Sequence, residues 1–403
     1  MTEPRREFKL TEGARRAGKP PGTLLVALLG LSLHLLLATG CGGTGGAGGP
    51  ADAVPVGEYG SLTGETATFG QSTHEGITLA AEEINATGGV KGKPVHLYTE
   101  DDQSKPEEAA TVVAKLINQN RVLGILGEVA SSRSLAAAPK AQAAGIPMIT
   151  PASTNPKVTL VGDYIFRACF TDDFQGRVMA VFLRKNLGVK KAAILRDIRN
   201  DYSVGLANFF AQEFQRLGGT IAPDVSYSAG DADFKAQLTA IKAAAPEAIF
   251  IPGYYPDVGQ IAIQARDLGI TVPMAGGDGW ESPKLLEIGG KSLEGCFYST
   301  HFFAEDPNPT VANFVGKYRT KYGRTPDCYS ALGYEAMMLL ADAMNRAPEL
   351  TGRAIRDALA STSGFVGVTG KITMDANRNP VKSAIVLEVK GGTMVYHGTI
   401  APE

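Results

Sequence analysis

Two short clusters of hydroxyls carry the first chemical signal in this chain. Ala130-Ser131-Ser132 and Pro151-Ala152-Ser153-Thr154 each follow a short apolar run, and an alanine-rich stretch separates them. If the apolar runs are neighbouring parallel strands, both clusters lie at the carboxyl ends of one sheet, where open α/β sheets bind ligands. The first cluster also opens a helix, whose leading N–H groups lack intrahelical partners and favour an anion. The chemistry this allows is recognition of a small carboxylate. Nucleophilic catalysis fits poorly: no histidine stands near Ser131 in the sequence, and there is no Gly-x-Ser-x-Gly elbow or phosphate-binding loop. A simpler role for Ser131 and Ser132 is to cap the helix they begin.

The other reactive residue types form no catalytic or metal-binding pattern. His34 lies in an apolar leader, and His74, His96, His301 and His397 are scattered without metal-ligand spacing. They read as surface or core residues. Asp101-Asp102 and Asp172-Asp173 are adjacent acids at strand-to-helix turns, where capping is the expected use. The cysteines are Cys41, Cys169, Cys296 and Cys328, with no Cys-x-x-Cys. One disulfide among the last three is possible and its pairing is open. We expect no enzyme activity, no metal and no cofactor. With 39 basic and 41 acidic residues and no basic patch, nucleic acid is not an expected partner.

The elements that would position the hydroxyls alternate between strand and helix. Strands are expected over 54–59, 95–99, 122–126 and 147–150, with helices over 67–85 and 132–144 among them. Ser104-Lys105-Pro106-Glu107 reads as a capping box opening another helix. A second alternating set has strands over 192–195, 221–226, 248–251 and 272–275. Its helices cover 174–186, 203–217, 234–244 and 258–268. Such alternation implies parallel sheets covered on both faces. The last third breaks the pattern, with helices over 310–322, 330–345 and 352–361 and short strands over 371–374, 384–389 and 394–397. Helices without a sheet of their own must pack on one already built. The chain is therefore expected to return to its first lobe and end in its second. That gives lobe 1 from 54–170 plus 301–375 and lobe 2 from 171–300 plus 376–403, joined by a hinge of several crossovers.

Residues 1–40 read as an export leader. Six basic residues, from Arg5 to Lys19, precede an apolar run over 24–38. At roughly 15 residues the run is too short for a confident span, which needs about 20. Its exit, Leu37-Ala38-Thr39-Gly40-Cys41, resembles the bacterial lipobox, which implies lipidation of Cys41. The glycine-rich stretch that follows within 41–53 suits a flexible tether. Arg5-Arg6-Glu7-Phe8 faintly resembles a twin-arginine signal, but the apolar core favours the general export route.

From about Val54 to the C-terminus the chain resembles the branched-chain amino acid binding proteins, the type I periplasmic solute-binding proteins of ABC importers. The resemblance rests on GSLTGETATFGQSTHEGITLAAEEINATGGVKGKPV at 60–95, EDDQSKPEEA at 100–109, ITPASTNP at 149–156 and FRACFTDDFQG at 166–176. Further segments are GYYPDVGQIAIQARDLGI at 253–270 and GGDGW at 276–280. It implies an α/β fold of two Rossmann-like lobes with parallel sheets, joined by a multi-crossover hinge.

The resemblance also implies a site. Ser131 and Thr154, with backbone N–H groups around Ser153, would hold an α-carboxylate. The Ala152 carbonyl and Asp278 would hold an α-ammonium. Tyr202 and Tyr254 would fold over the ligand from the second lobe, and Phe69 would lie beside its side chain. Asp278 could instead be a simple turn former, Tyr255 is expected in the core, and Trp280, two residues past Asp278, could line the cleft mouth or pack elsewhere. Close relatives often have Glu where Asp278 stands, and a cysteine pair of some relatives is replaced by Ser104 and Ala130.

The implied function is extracytoplasmic capture of a small amino acid, branched-chain or aliphatic, by a membrane-anchored monomeric lipoprotein. Delivery would be to an ABC permease and its ATPases. The same fold could instead serve a sensor, or a receptor for amides, urea or aromatic acids.

Overall fold

The computed structural model describes residues 52–402. The leader, Cys41 and nearly all of the tether lie outside them. Among the described residues, no helix is long and apolar enough to cross a membrane.

Apolar runs of the first set build one five-stranded sheet. Its strands are β1 (Val54–Gly60), β2 (Val95–Asp101), β3 (Ile125–Leu126), β4 (Met148–Thr150) and β5 (Ile165–Arg167). The spatial order is β2-β1-β3-β4-β5 and every pairing is parallel. The expected strand over 122–126 shortens to two residues in register with β1 and β4. The short strands end together, so the loops after β3 and β4, which carry the hydroxyl clusters, emerge side by side.

The second sheet has seven strands. They are β6 (Lys191–Asp197), β7 (Thr220–Tyr227), β8 (Ala248–Phe250), β9 (Met274–Gly276), β10 (Phe297–Thr300), and the late pair β13 (Ala384–Lys390) and β14 (Thr393–Ile400). The order is β14-β13-β10-β9-β8-β6-β7. The β7-to-β10 side is parallel, whereas β13 joins β10 and β14 joins β13 antiparallel. The strand expected over 371–374 is instead β12 (Gly370–Ile372), which forms an antiparallel hairpin with β11 (Phe365–Gly367).

Helix Cys328–Arg346 lies against helix Ala67–Ala86 and shares a core with the first sheet, in which Leu339, Leu340 and Met344 pack with Val56, Leu126 and Ile149. Three stretches pass between the sheets: from β5 to helix Asp172–Val181, from β10 to helix Pro309–Tyr322, and from β12 to β13. Several crossings of this kind define a hinge rather than a flexible linker. Cys169, Cys296 and Cys328 are all buried and free, so none forms the possible disulfide.

Candidate ligand-binding site

Helix Ser131–Ala144 starts directly after the loop that follows β3, and its N-cap position is Ala130, which has no side chain to cap with. Neither serine takes over that task. Ser131 Oγ accepts from Asn155 N at 3.2 Å, and Ser132 Oγ accepts from Asp201 N, in the second lobe, at 3.0 Å. Capping by the two serines is therefore corrected to loop-bridging and lobe-bridging. The N–H groups of Arg133 and Ser134 donate to the Ala130 carbonyl and that of Ala130 donates to the Glu128 carboxylate, which leaves those of Ser131 and Ser132 without an intrahelical partner.

Ser131, Ala152, Ser153 and Thr154 are all buried at this point. Ser153 is fully engaged within the protein: its hydroxyl meets the Glu128 carbonyl at 2.8 Å and Ser134 Oγ at 2.7 Å, and its N–H donates to Thr150 Oγ1 at 2.8 Å, so it shapes the loop and offers no free donor. The loop is gripped from below by Arg167, whose guanidinium donates to the carbonyls of Ser153 at 2.5 Å and Asn155 at 2.8 Å. Its Nε also reaches Asn379 Oδ1 in the third crossover at 2.7 Å.

Aromatic rings close the site from both lobes. Tyr202, at the second position of helix Asp201–Arg216, stacks on Tyr254 with centroids 5.3 Å apart and planes within 10°. Phe69, from the first lobe, meets Tyr254 edge-on at 5.4 Å and Tyr329 at 4.5 Å. Tyr202 OH accepts from Gly279 N at 3.1 Å, and Tyr329 OH donates to the Asp278 carbonyl at 2.7 Å. Burial raises the Tyr202 and Tyr254 hydroxyls well above their usual range, so both remain neutral donors. Tyr255 is in the core, as expected, and its hydroxyl donates across to the Glu65 carbonyl at 3.1 Å.

The opposite charge lies in the loop after β9. Asp278 is 3% exposed. Its Oδ1 accepts from Gln175 Nε2 at 3.0 Å and its Oδ2 lies 3.0 Å from His301 Nε2. These contacts fix the carboxylate toward other elements, which a simple turn former would not need. Trp280 is not at the cleft mouth. It is fully buried, and its Nε1 donates to the Ile251 carbonyl at 2.8 Å.

Four participants escaped the sequence reading: Tyr329, already described, and Asp172, Gln175 and His301. Asp172 does not cap: Thr171 holds the N-cap position, and Asp172 is wholly buried against Thr154, its N–H donating to the Thr154 carbonyl at 2.9 Å and its carboxyl lying beside the Thr154 hydroxyl, with Oδ2 making no close hydrogen bond. Burial pushes its carboxyl well above the usual carboxylate range, and the charge of Asp278 pushes it further. Gln175, one turn on, joins the two acids, donating also to Asp172 Oδ1 at 3.5 Å. His301, stacked on Phe170 at 3.7 Å, is a core residue as expected but is also a partner of the site acid. The adjacent acids in Asp172-Asp173 were visible; that only the first turns inward was not.

The arrangement brings a helix start and hydroxyls together with two buried carboxylates, one of them beside Thr154, and with aromatic rings, at the junction of two lobes. That defines a two-lobed α/β protein with its candidate site at the lobe junction. The chain belongs to the periplasmic binding protein family, whose model matches residues 53–393. It is 32% identical to the "Amino acid binding protein" of Pseudomonas aeruginosa over 326 residues, 80% of this chain and 82% of that protein. The leucine-binding protein LivK from Thermotoga maritima is 42% identical, with TM-score 0.84, covering 87% of this chain and 99% of that one. LivJ from Streptococcus pneumoniae, solved with isoleucine, is 33% identical with TM-score 0.82, covering 87% and 100%.

Proposed function

We propose that this protein is the extracytoplasmic solute-binding component of an ABC importer and captures a branched-chain or similar aliphatic amino acid. The observation that carries the ligand class is the opposition of charge preferences at one buried site. Ser131, Thr154 and a helix N-terminus favour a carboxylate, while Asp278 and Asp172 favour an ammonium. A buried zwitterion needs both, because an unpaired buried charge costs several kcal/mol. The relatives named above, which include a leucine-binding and an isoleucine-bound protein, support the aliphatic side chain, and the rings of Phe69, Tyr254 and Tyr329 supply apolar walls for it.

The first lobe takes the carboxylate, and the second adds Tyr202, Tyr254 and Asp278 on closure. Contacts made only in the closed form shift the population toward it. The closed protein then delivers its ligand to a permease driven by its ATPases. It acts as a monomer held to the membrane through lipidated Cys41; a Cys41→Ser chain that stays in the membrane fraction removes the anchor from this reading.

A thermal-shift panel on protein stripped by unfolding and refolding tests the ligand class. Leucine, isoleucine or valine at 100 times the dissociation constant should add about 2.7 kcal/mol of stability. Amides, urea and aromatic acids should add none. A response to those compounds and not to amino acids overturns the assignment.

A further inference from the structure

A site built to receive an ammonium must also keep its acids buried when the ammonium is absent. Asp172 and Asp278 are 0% and 3% exposed and share the single amide of Gln175. Gln175 is itself fixed, since its Oε1 accepts from Asp278 N at 2.8 Å and Ser299 Oγ at 3.0 Å. Asp278 has both oxygens engaged, by Gln175 and His301. Asp172 has only the long contact from Gln175 and the nearby Thr154 hydroxyl, both neutral, and its Oδ2 makes no close hydrogen bond.

The charged and titratable neighbours offer no direct cation. Asp173 follows on the same helix and adds a like charge. Arg167, on β5, faces Asp172 but spends its guanidinium on the carbonyls of Ser153 and Asn155 and on Asn379. Lys382, in the third crossover, pairs with Glu335. Cys169 and Tyr202 face the acids as neutral groups, because burial raises both. His301 has Nδ1 unpartnered within the core, and burial lowers its affinity for a proton, so it donates to Asp278 as a neutral ring. Two buried carboxylates thus share one neutral amide, while the guanidinium of Arg167 and the ammonium of Lys382 are spent on other partners.

We propose that the empty site holds one proton on this acid pair, seated on Asp172, and that the ligand's ammonium expels it. This inference rests on the amino acid reading above. The Asp172 O–H bond breaks, the proton leaves to solvent, and the carboxylate pairs with the ammonium; nothing is oxidised or reduced. Asp172 therefore titrates high when the site is empty and low when it is loaded. Between those two values the empty protein carries the extra proton, so affinity rises with pH there. Above the empty-site value it levels off.

The test is calorimetry of the full chain in mild detergent with L-leucine, in two buffers of different ionisation enthalpy, at several pH values from about 5.5 to 8. The wild-type dissociation constant should fall by up to about tenfold per pH unit, and the buffer difference should report close to one proton released. Asp172→Asn keeps the side-chain size, so its weaker binding should be independent of pH and of buffer. Both chains are also measured in a Glu281→Gln background, because the Glu281 carboxyl seats on Cys328 N across the lobes and would take up a proton on closure; without it the release should be seen undiminished. Leucine binding with pH-independent affinity and buffer-independent heat overturns the proton exchange and leaves the binding function standing. So does full proton release by Asp172→Asn. Absence of leucine binding at every pH, with binding of another class, overturns the function and this inference with it.

Discussion

Asp278 reaches the site only because other residues hold it there. With Gln175 on one oxygen and His301 on the other, the carboxylate has little rotational freedom. A fixed acid loses less entropy on meeting an ammonium than a mobile one would. Removing it deletes a charge-assisted contact and leaves Gln175 and His301 with unmatched buried groups. Asp278→Ala should therefore weaken leucine binding by at least about 2 kcal/mol, roughly thirtyfold, in a calorimetric titration. Unchanged affinity would remove Asp278 from the site. At this scale the hydroxyl clusters were legible because they occupy consecutive positions after apolar runs. Asp172, Gln175 and His301 were not, since helix Asp172–Val181 meets the end of β10 only once the second lobe has folded, more than a hundred residues along the chain.

Elements place these residues through their ends. The loop from β9 turns through the short helix Asp278–Trp280, and glycine is needed at 277 because an added Cβ would come within 2.2 Å of Gln175 Oε1 and 2.4 Å of Tyr202 OH. Trp280 anchors that turn from below by packing in the core and donating to β8's neighbour, Ile251. Trp280→Ala should cost about 3–5 kcal/mol of stability, the usual range for a buried large-to-small change. Urea unfolding followed by circular dichroism measures it, since this is the only tryptophan in the chain and its fluorescence goes with it. A loss below 1 kcal/mol, on the order expected of a surface change, would return Trp280 to the cleft mouth. Strand and helix alternation was readable from periodicity, but helix starts were less so. Ser104-Lys105-Pro106-Glu107 matches a capping box, yet Ser104 sits at φ 61° with its hydroxyl donating to the Thr63 carbonyl at 3.0 Å, and Lys105 holds the N-cap position. The box found in the structure is Asp327 with Ser330, at the start of helix Cys328–Arg346. Tertiary contacts overrode the local pattern, which favours Ser104–Glu107 because Asp327-Cys328-Tyr329-Ser330 lacks the acid or amide at its fourth position.

The whole molecule brings its lobes together on both sides of the site. Asn155 Nδ2 donates to the Asp201 carbonyl at 2.8 Å on one side, and Thr68 Oγ1 meets Ser282 Oγ at 3.1 Å on the other. Next to Ser282, the Glu281 carboxylate accepts from Cys328 N at 2.6 Å, so a second-lobe acid seats on a first-lobe helix start beside Asp327. Closing the lobes thus buries acids as well as ligand. Burial, with Asp327 adding to it, raises the Glu281 carboxyl to about 8; burial raises Asp102 and Asp257 to about 7, aided by Glu128 and Glu65 respectively. Each group binds its proton more tightly in the folded chain than in the unfolded one, where ordinary values of 3.8 and 4.5 apply. Their stabilising contribution is complete below those ordinary values and is lost as pH rises toward 7 and 8. His301 acts oppositely, because burial lowers its value and its neutral ring costs stability as the pH drops below the ordinary histidine value. The melting temperature should therefore be highest in mildly acidic solution and fall from about pH 6 to about pH 8.5. Glu281→Gln keeps a hydrogen-bonding side chain at the lobe contact without the titration, so its melting temperature should fall less over the same interval. A wild-type melting temperature that holds level or climbs across that interval would mean the buried acids are ionised in the closed molecule, with cations or water reaching them through the cleft.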